Sequence, residues 1–161
     1  MDRRKTLKKV AKVAKEAKKT KTIKSLKKQK STAFSKETKT HFVEIFLGML
    51  NTVKLYHWKT YSYATHEATD KLYAQLNEHI DEFVEVMLGK DENRLPMFDI
   101  DIPLTNTSSV DVFKKRVYKY REFLIDMDTV LDARRDGDLL HLRDGILADI
   151  NQFLYLLTFS M

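Results

Sequence analysis

Steps of four, eleven and four separate His66, Asp70, Asp81 and Glu85. At about 100° per residue these four positions share a sector of roughly 100° on one face of an α-helix. The pattern predicts one long helix from about Thr65 to Leu88, with Gly89 as its C-terminal cap. Such a helix rises about 1.5 Å per residue, so Asp70 and Asp81 stand about 16 Å apart along it. No single metal ion bridges that gap. Either the two halves do separate jobs, or a second copy of the helix runs antiparallel against the first. The second arrangement gives two identical sites related by a two-fold axis near Gln75 and Leu76, the usual symmetry of homo-oligomers.

His57 lies nine residues upstream, beside Trp58, and brings the set to two imidazoles and three carboxylates. The chain has no cysteine, so disulfides, thiolate metal sites and cysteine nucleophiles are excluded. Hard nitrogen and oxygen donors suit iron better than a structural zinc. Taken singly, each residue has a plainer reading. A histidine on an apolar stripe is ordinarily a satisfied core side chain. Asp81 and Glu85, flanked by Glu78 and Glu82, could form a solvated acidic face. The five together, in this order, point to a metal centre. Carboxylate di-iron sites within one bundle need Glu-x-x-His pairs, and none is present. Asp138-x-x-His141 reads as a helix cap plus a surface histidine, His41 and His79 as surface residues, and Trp58 as core.

The flanking sequence supplies three more helical stripes. Phe42, Phe46, Met49, Leu50, Val53 and His57 mark a first helix from about Thr40. Ser108 or Ser109 can cap a third, lined by Val112, Val117, Tyr120, Leu124, Met127 and Leu131 and broken at Asp136-Gly137. Asp138 is then expected to cap a fourth, carrying Leu139, Leu142, Ile146, Ile150, Phe153, Leu154 and Leu157. Residues 90–109 hold both prolines and show no helical period, which marks a long connection crossing the bundle. Only four glycines in 161 residues fit a mostly helical chain. The expected fold is all-α: a four-helix bundle with one long crossover over residues 34–161, preceded by a flexible tail.

These motifs resemble the Dps-type miniferritins, ferritin-like shell proteins that oxidise and store iron and often bind DNA. In that family a helix ends in His-Trp and the next opens with His-Glu. An acid follows four residues after that histidine, and Asp-x-x-x-Glu comes eleven residues later. His57-Trp58, His66-Glu67, Asp70, and Asp81 with Glu85 match each element. The resemblance runs from about Phe42 to Gly89 and returns weakly at Asp136–Leu140 and Phe153–Leu157. It implies a ferritin-like fold and an iron-oxidising centre with His57, His66 and Asp70 from one subunit and Asp81 and Glu85 from its neighbour. It also implies a peroxide-preferring oxidation, a two-fold dimer as minimal unit and a twelve-subunit shell. Two departures stand out. The spacing of nine between His57 and His66 is shorter than the family's usual dozen or so, and residues 90–109 lack the short helix that the family often carries there.

The charge is divided along the chain. Residues 1–30 hold Arg3, Arg4, Lys5, Lys8, Lys9, Lys12, Lys15, Lys18, Lys19, Lys21, Lys24, Lys27, Lys28 and Lys30 against Asp2 and Glu16, a net of +12. The remaining 131 residues carry 15 basic and 21 acidic side chains, a net of −6. A Lys-rich, aromatic-free segment such as 1–33 cannot bury enough apolar surface to hold a fold of its own. Dispersed lysines suit the phosphates of DNA and cannot read bases. A nuclear address is the second reading, for which Leu26-Lys27-Lys28-Gln29-Lys30 would be enough, and a plain solubilising tail is a further one. Adhesion to an anionic membrane is weakened by the lack of aromatics on the apolar face. A basic start without an apolar stretch is not a secretory signal, so the expected setting is intracellular, cytoplasmic or DNA-associated. The alternative function is DNA packaging, with the bundle serving only as an oligomerisation scaffold.

Overall fold

A computed structural model describes residues 34–95, 102 and 104–160. The tail and its fourteen basic residues lie outside them, as do both prolines. Among the described residues there are four α-helices and no strand: α1 Lys36–His57, α2 Tyr63–Gly89, α3 Val110–Asp126 and α4 Gly137–Leu156. Single 3₁₀ turns extend α3 at Met127–Thr129 and α4 at Leu157–Ser160. No helix among them is long and apolar enough to cross a membrane.

Three helices start on serine. Ser35, Ser62 and Ser109 accept the backbone N–H of Thr38, Thr65 and Val112, each cap contributing about 1 kcal/mol. The fourth start differs from expectation. Asp136 holds the N-cap position and turns its carboxylate to the Asp132 N–H, while Asp138 sits inside the first turn and accepts from Leu139. Gly89 also departs from its expected role. It is the last residue of α2, and the chain reverses at Glu92, whose φ of 53° lies in the left-handed region that favours glycine.

Side-chain contacts fix the helix directions. His57 stacks on His66, Lys54 reaches Asp70, and Phe46 meets Phe83, so α2 runs antiparallel to α1. Tyr56 stacks on Phe113 while Phe42 meets Phe123, so α3 is antiparallel to α1 as well. Asp149 bonds His79, and Lys90 bonds Asp138, so α4 returns antiparallel to α2. The order is up, down, down, up. Because α2 and α3 run the same way, the chain between them must travel the length of the bundle. Lys90 joins Asp136 at one end, and Lys59 joins Asn106 at the other.

The core is aromatic at both ends. Phe42, Phe46 and Phe83 cluster with Phe123 near the start of α1, and Tyr56, Phe113 and Phe153 fill the opposite end. Burial pushes the Tyr56 phenol above its ordinary pKa, against the pull of a hydrogen bond with Thr60. Midway, the Tyr120 hydroxyl donates to the Gly48 carbonyl and accepts from Arg116, and it pairs with Thr52 at 2.9 Å. Trp58, expected in the core, is 67% exposed. His57 takes the last inward position of α1, and one residue further the helix has turned about 100° to solvent. Val112 is exposed for the same reason, since Phe113 holds the core position.

Three ion pairs on two lysines lock the lower end. Burial alone would lower the Lys90 pKa, but hydrogen bonds with Asp138 and Asp136 outweigh it and hold it above its usual value. Asp138 responds oppositely: burial would raise it, and Lys90 with the Leu139 N–H brings it below the usual carboxylate range. The clamp is therefore complete at neutral pH. It weakens in acid as Asp138 protonates and in strong alkali as Lys90 loses its proton. Lys39 and Asp91 form the more buried pair, with side chains only 6% and 14% exposed; Lys39 bonds Asp91 Oδ2, and the buried Oδ1 has no hydrogen-bond partner. Lys39→Met should cost about 3–5 kcal/mol because it strands that carboxylate. Adding Asp91→Leu should recover most of the loss, which urea denaturation of the single and double variants would show.

Candidate functional site

The turn at residues 58–62 is short, and its shortness brings the two histidines into contact. Their rings stack at 3.8 Å with 25° between planes. His57 Nδ1 lies 3.1 Å from the His66 carbonyl, and His66 Nδ1 lies 3.0 Å from the His57 carbonyl. A carbonyl only accepts, so each Nδ1 is the donor and carries the proton. In the neutral ring each Nε2 then keeps its lone pair. Metal-ligating histidines are held in this way, with the other ring nitrogen donating to a carbonyl or carboxylate. Thr69 supports the arrangement. Its hydroxyl is 2.8 Å from the Thr65 carbonyl and 2.9 Å from that of His66, and it stands 3.3 Å from His57 Nδ1.

Asp70 adds a carboxylate, with Oδ1 3.8 Å from His57 Nε2 and 3.6 Å from the Lys54 ammonium. His57 is buried and Asp70 is largely exposed, so the group opens outward from a fixed base. Lys54 also lies 4.7 Å from the centre of the Tyr73 ring and 5.8 Å from that of Trp58. A cation at Asp70 would have to displace this ammonium.

Asp81 and Glu85 are exposed further along the same uninterrupted helix. They do not meet the histidines within the chain. Asp81 borders an apolar groove of about 290 Å³ walled by Val43, Phe46, Leu47 and Leu50 of α1, by Ile80 and Val84 of α2 and by Leu95. Glu85 lines a neighbouring depression of about 440 Å³ with Leu88, Gly89, Glu92, Asn93 and Arg94. Among the described residues, no three His, Asp or Glu side chains of this one chain converge as a metal-binding group. The arrangement is therefore two imidazoles and a carboxylate at one end of a face, and two carboxylates further along it.

The other flagged residues fall elsewhere. His41 is exposed with its ring edge-on to Phe123, and His141 and Glu67 are exposed. His79 is not the surface residue expected: it is half-buried and lies 2.6 Å from the buried Asp149, which also accepts from Gln75. Lys54 and Thr69 are missing from the sequence reading. Each stands three residues from a candidate histidine, on the helical spacing that makes neighbours, and that spacing could have found them.

No curated protein and no solved structure matches the chain. A family model matches residues 57–157, from the first candidate ligand to the end of the last helix and well over half of the 161 residues. The chain belongs to the family of unknown function DUF5856.

Proposed function

We propose that this protein is a ferritin-like iron oxidase whose sites form between two copies of the chain, and that its basic tail binds DNA non-specifically. The observation that carries the first part is the reciprocal bonding of His57 and His66 beside Asp70. With both Nδ1 protons committed to backbone carbonyls, the two Nε2 lone pairs are left for a metal, the arrangement ligating histidines adopt. The up-down-down-up order with its long crossover is the connectivity of ferritin-like bundles.

Iron is substrate in this reading. Imidazoles from His57 and His66 with the Asp70 carboxylate bind Fe(II) from one side, and Asp81 with Glu85 of a second copy close the other. Anionic oxygen ligands favour Fe(III) over Fe(II), which drives electron loss. Two Fe(II) ions give up two electrons together, and with two protons these reduce one peroxide to two waters without releasing hydroxyl radical. Dioxygen is the slower alternative oxidant.

Aerobic and peroxide-driven Fe(II) oxidation, followed by absorbance, tests the reading. Asp81→Asn keeps shape and removes a charge, and should slow oxidation at least about tenfold, the loss of a charge-assisted ligand. Glu82→Gln lies about 100° round the helix and should change the rate little. Equal losses in both variants would replace a defined centre with a diffuse acidic surface. The second part rests on charge alone, +12 in residues 1–30 against −6 in the rest. The reading in which the bundle is only a scaffold for DNA packaging survives if the oxidation assay is silent while DNA binding persists.

A further inference from the structure

The face that carries the candidate ligands also carries a protruding indole and an apolar hollow of similar scale. Trp58 is 67% exposed, although large apolar side chains are normally buried. The groove beside Asp81 holds about 290 Å³, just under the roughly 300–1,000 Å³ of sites for drug-sized ligands. That scale suits one large side chain. Val43, Leu47, Lys54 and Trp58 fall at steps of four, seven and four on α1, so knob and hollow share one stripe. The contacts of Lys54 with Trp58 and Tyr73 tie that stripe to the Asp70–Asp81 face of α2.

We infer that Trp58 of one copy docks into the groove of a second copy, and that this reciprocal knob-and-hollow contact holds the dimer together. The inference rests on the two-fold of the proposed iron site. Heights along the helices are set by His57 against His66 and by Lys54 against Asp70. An axis that brings Asp70 opposite Asp81 of the second copy also brings His66 opposite Glu85. Trp58, level with His66, then meets the end of the groove formed by Val84, Val43 and Leu95. Lys54, level with Asp70, arrives opposite Asp81, so charge is complementary where the indole enters. The groove cannot accept its own chain's Trp58, which lies about 16 Å further along α1 than Leu47.

Trp58 is the only tryptophan, so its emission reports this contact without labelling. In the full-length, metal-free protein the emission should be blue-shifted and shielded from acrylamide wherever sedimentation shows dimers or larger assemblies. It should turn red and quenchable on dilution to monomers. Trp58→Ala should weaken association about 30-fold or more, as removal of an anchoring aromatic does. Val84→Glu should do the same from the groove side, while Tyr61→Ala, at a fully exposed ring, should leave association unchanged. Circular dichroism identifies any variant that has lost its helices, and the wild-type emission then decides alone. An obligate monomer, which leaves the groove to another occupant, overturns the inference. So does an assembly whose Trp58 quenches as freely as in the monomer. Assemblies with a shielded Trp58 but no Fe(II) oxidation would sink the iron reading and leave this contact standing. Oxidation by dimers with an exposed Trp58 would do the reverse.

Discussion

Mixing two inactive variants, His66→Ala and Glu85→Ala, is expected to restore Fe(II) oxidation. Asp70 and Asp81 lie about 16 Å apart on one unbroken helix, so a site using both ends must take them from different copies. In a mixed dimer one of the two sites receives both defects, and the other receives an intact His66 and an intact Glu85. Random pairing makes about half of the dimers mixed, so activity should return to about a quarter of the wild-type value, from near zero in either variant alone. Co-refolding the two variants and measuring oxidation checks this, with a tag-based pull-down to show that mixed dimers formed. Confirmed mixed dimers without recovered activity would rule out the shared site. Each active centre would then lie within one chain, and every centre would keep one defect.

Removal of residues 1–33 should abolish DNA binding at physiological salt. The tail concentrates a net +12 in its first 30 residues, and the rest of the chain is acidic. If about six to eight lysines meet phosphates, log K should fall against log salt with a slope near −5 to −7, a loss of roughly 10³–10⁴ in affinity between 50 and 200 mM. Competition between unrelated sequences should show no preference, because phosphate contacts carry no base information. Gel shifts over a salt series, with and without the tail, give all three results. A truncated protein that binds DNA as tightly as the whole chain would reassign the interaction to the bundle. Recovery of many tails on one assembly would add avidity without tighter individual contacts, so the comparison is made at matched oligomeric state.

Helices are written locally, and the sequence shows them locally. The step pattern of His66, Asp70, Asp81 and Glu85 marks α2, the stripe from Phe42 to His57 marks α1, and Ser109 does cap α3. Such signals depend only on residues within one or two turns. Local rules fail where a distant partner intervenes or where a helix runs out of phase with the core. Asp138 looks like a cap, but Lys90, far away in sequence, claims its carboxylate. His79 looks like a surface histidine, but Asp149 lies buried behind it. Trp58 looks like core, but it stands one residue past the last inward position of α1, and a turn of about 100° carries it to solvent.

The sequence by itself determined which candidate residues share one face of α2, because the 3.6-residue period assigns every side chain of a continuous helix to one direction. It also determined that Asp70 and Asp81 cannot serve one ion within one chain, since the rise per residue is constant. Only the tertiary structure decided what those residues can do. The histidines acquire a fixed tautomer because a five-residue turn folds α1 against α2 and offers each ring the other's carbonyl. Lys54 becomes a competitor for Asp70, and an apolar groove opens beside Asp81, for the same reason: both depend on how two helices pack side by side. Periodicity along one helix carries no information about that packing, because contacts between helices join residues that no local spacing relates.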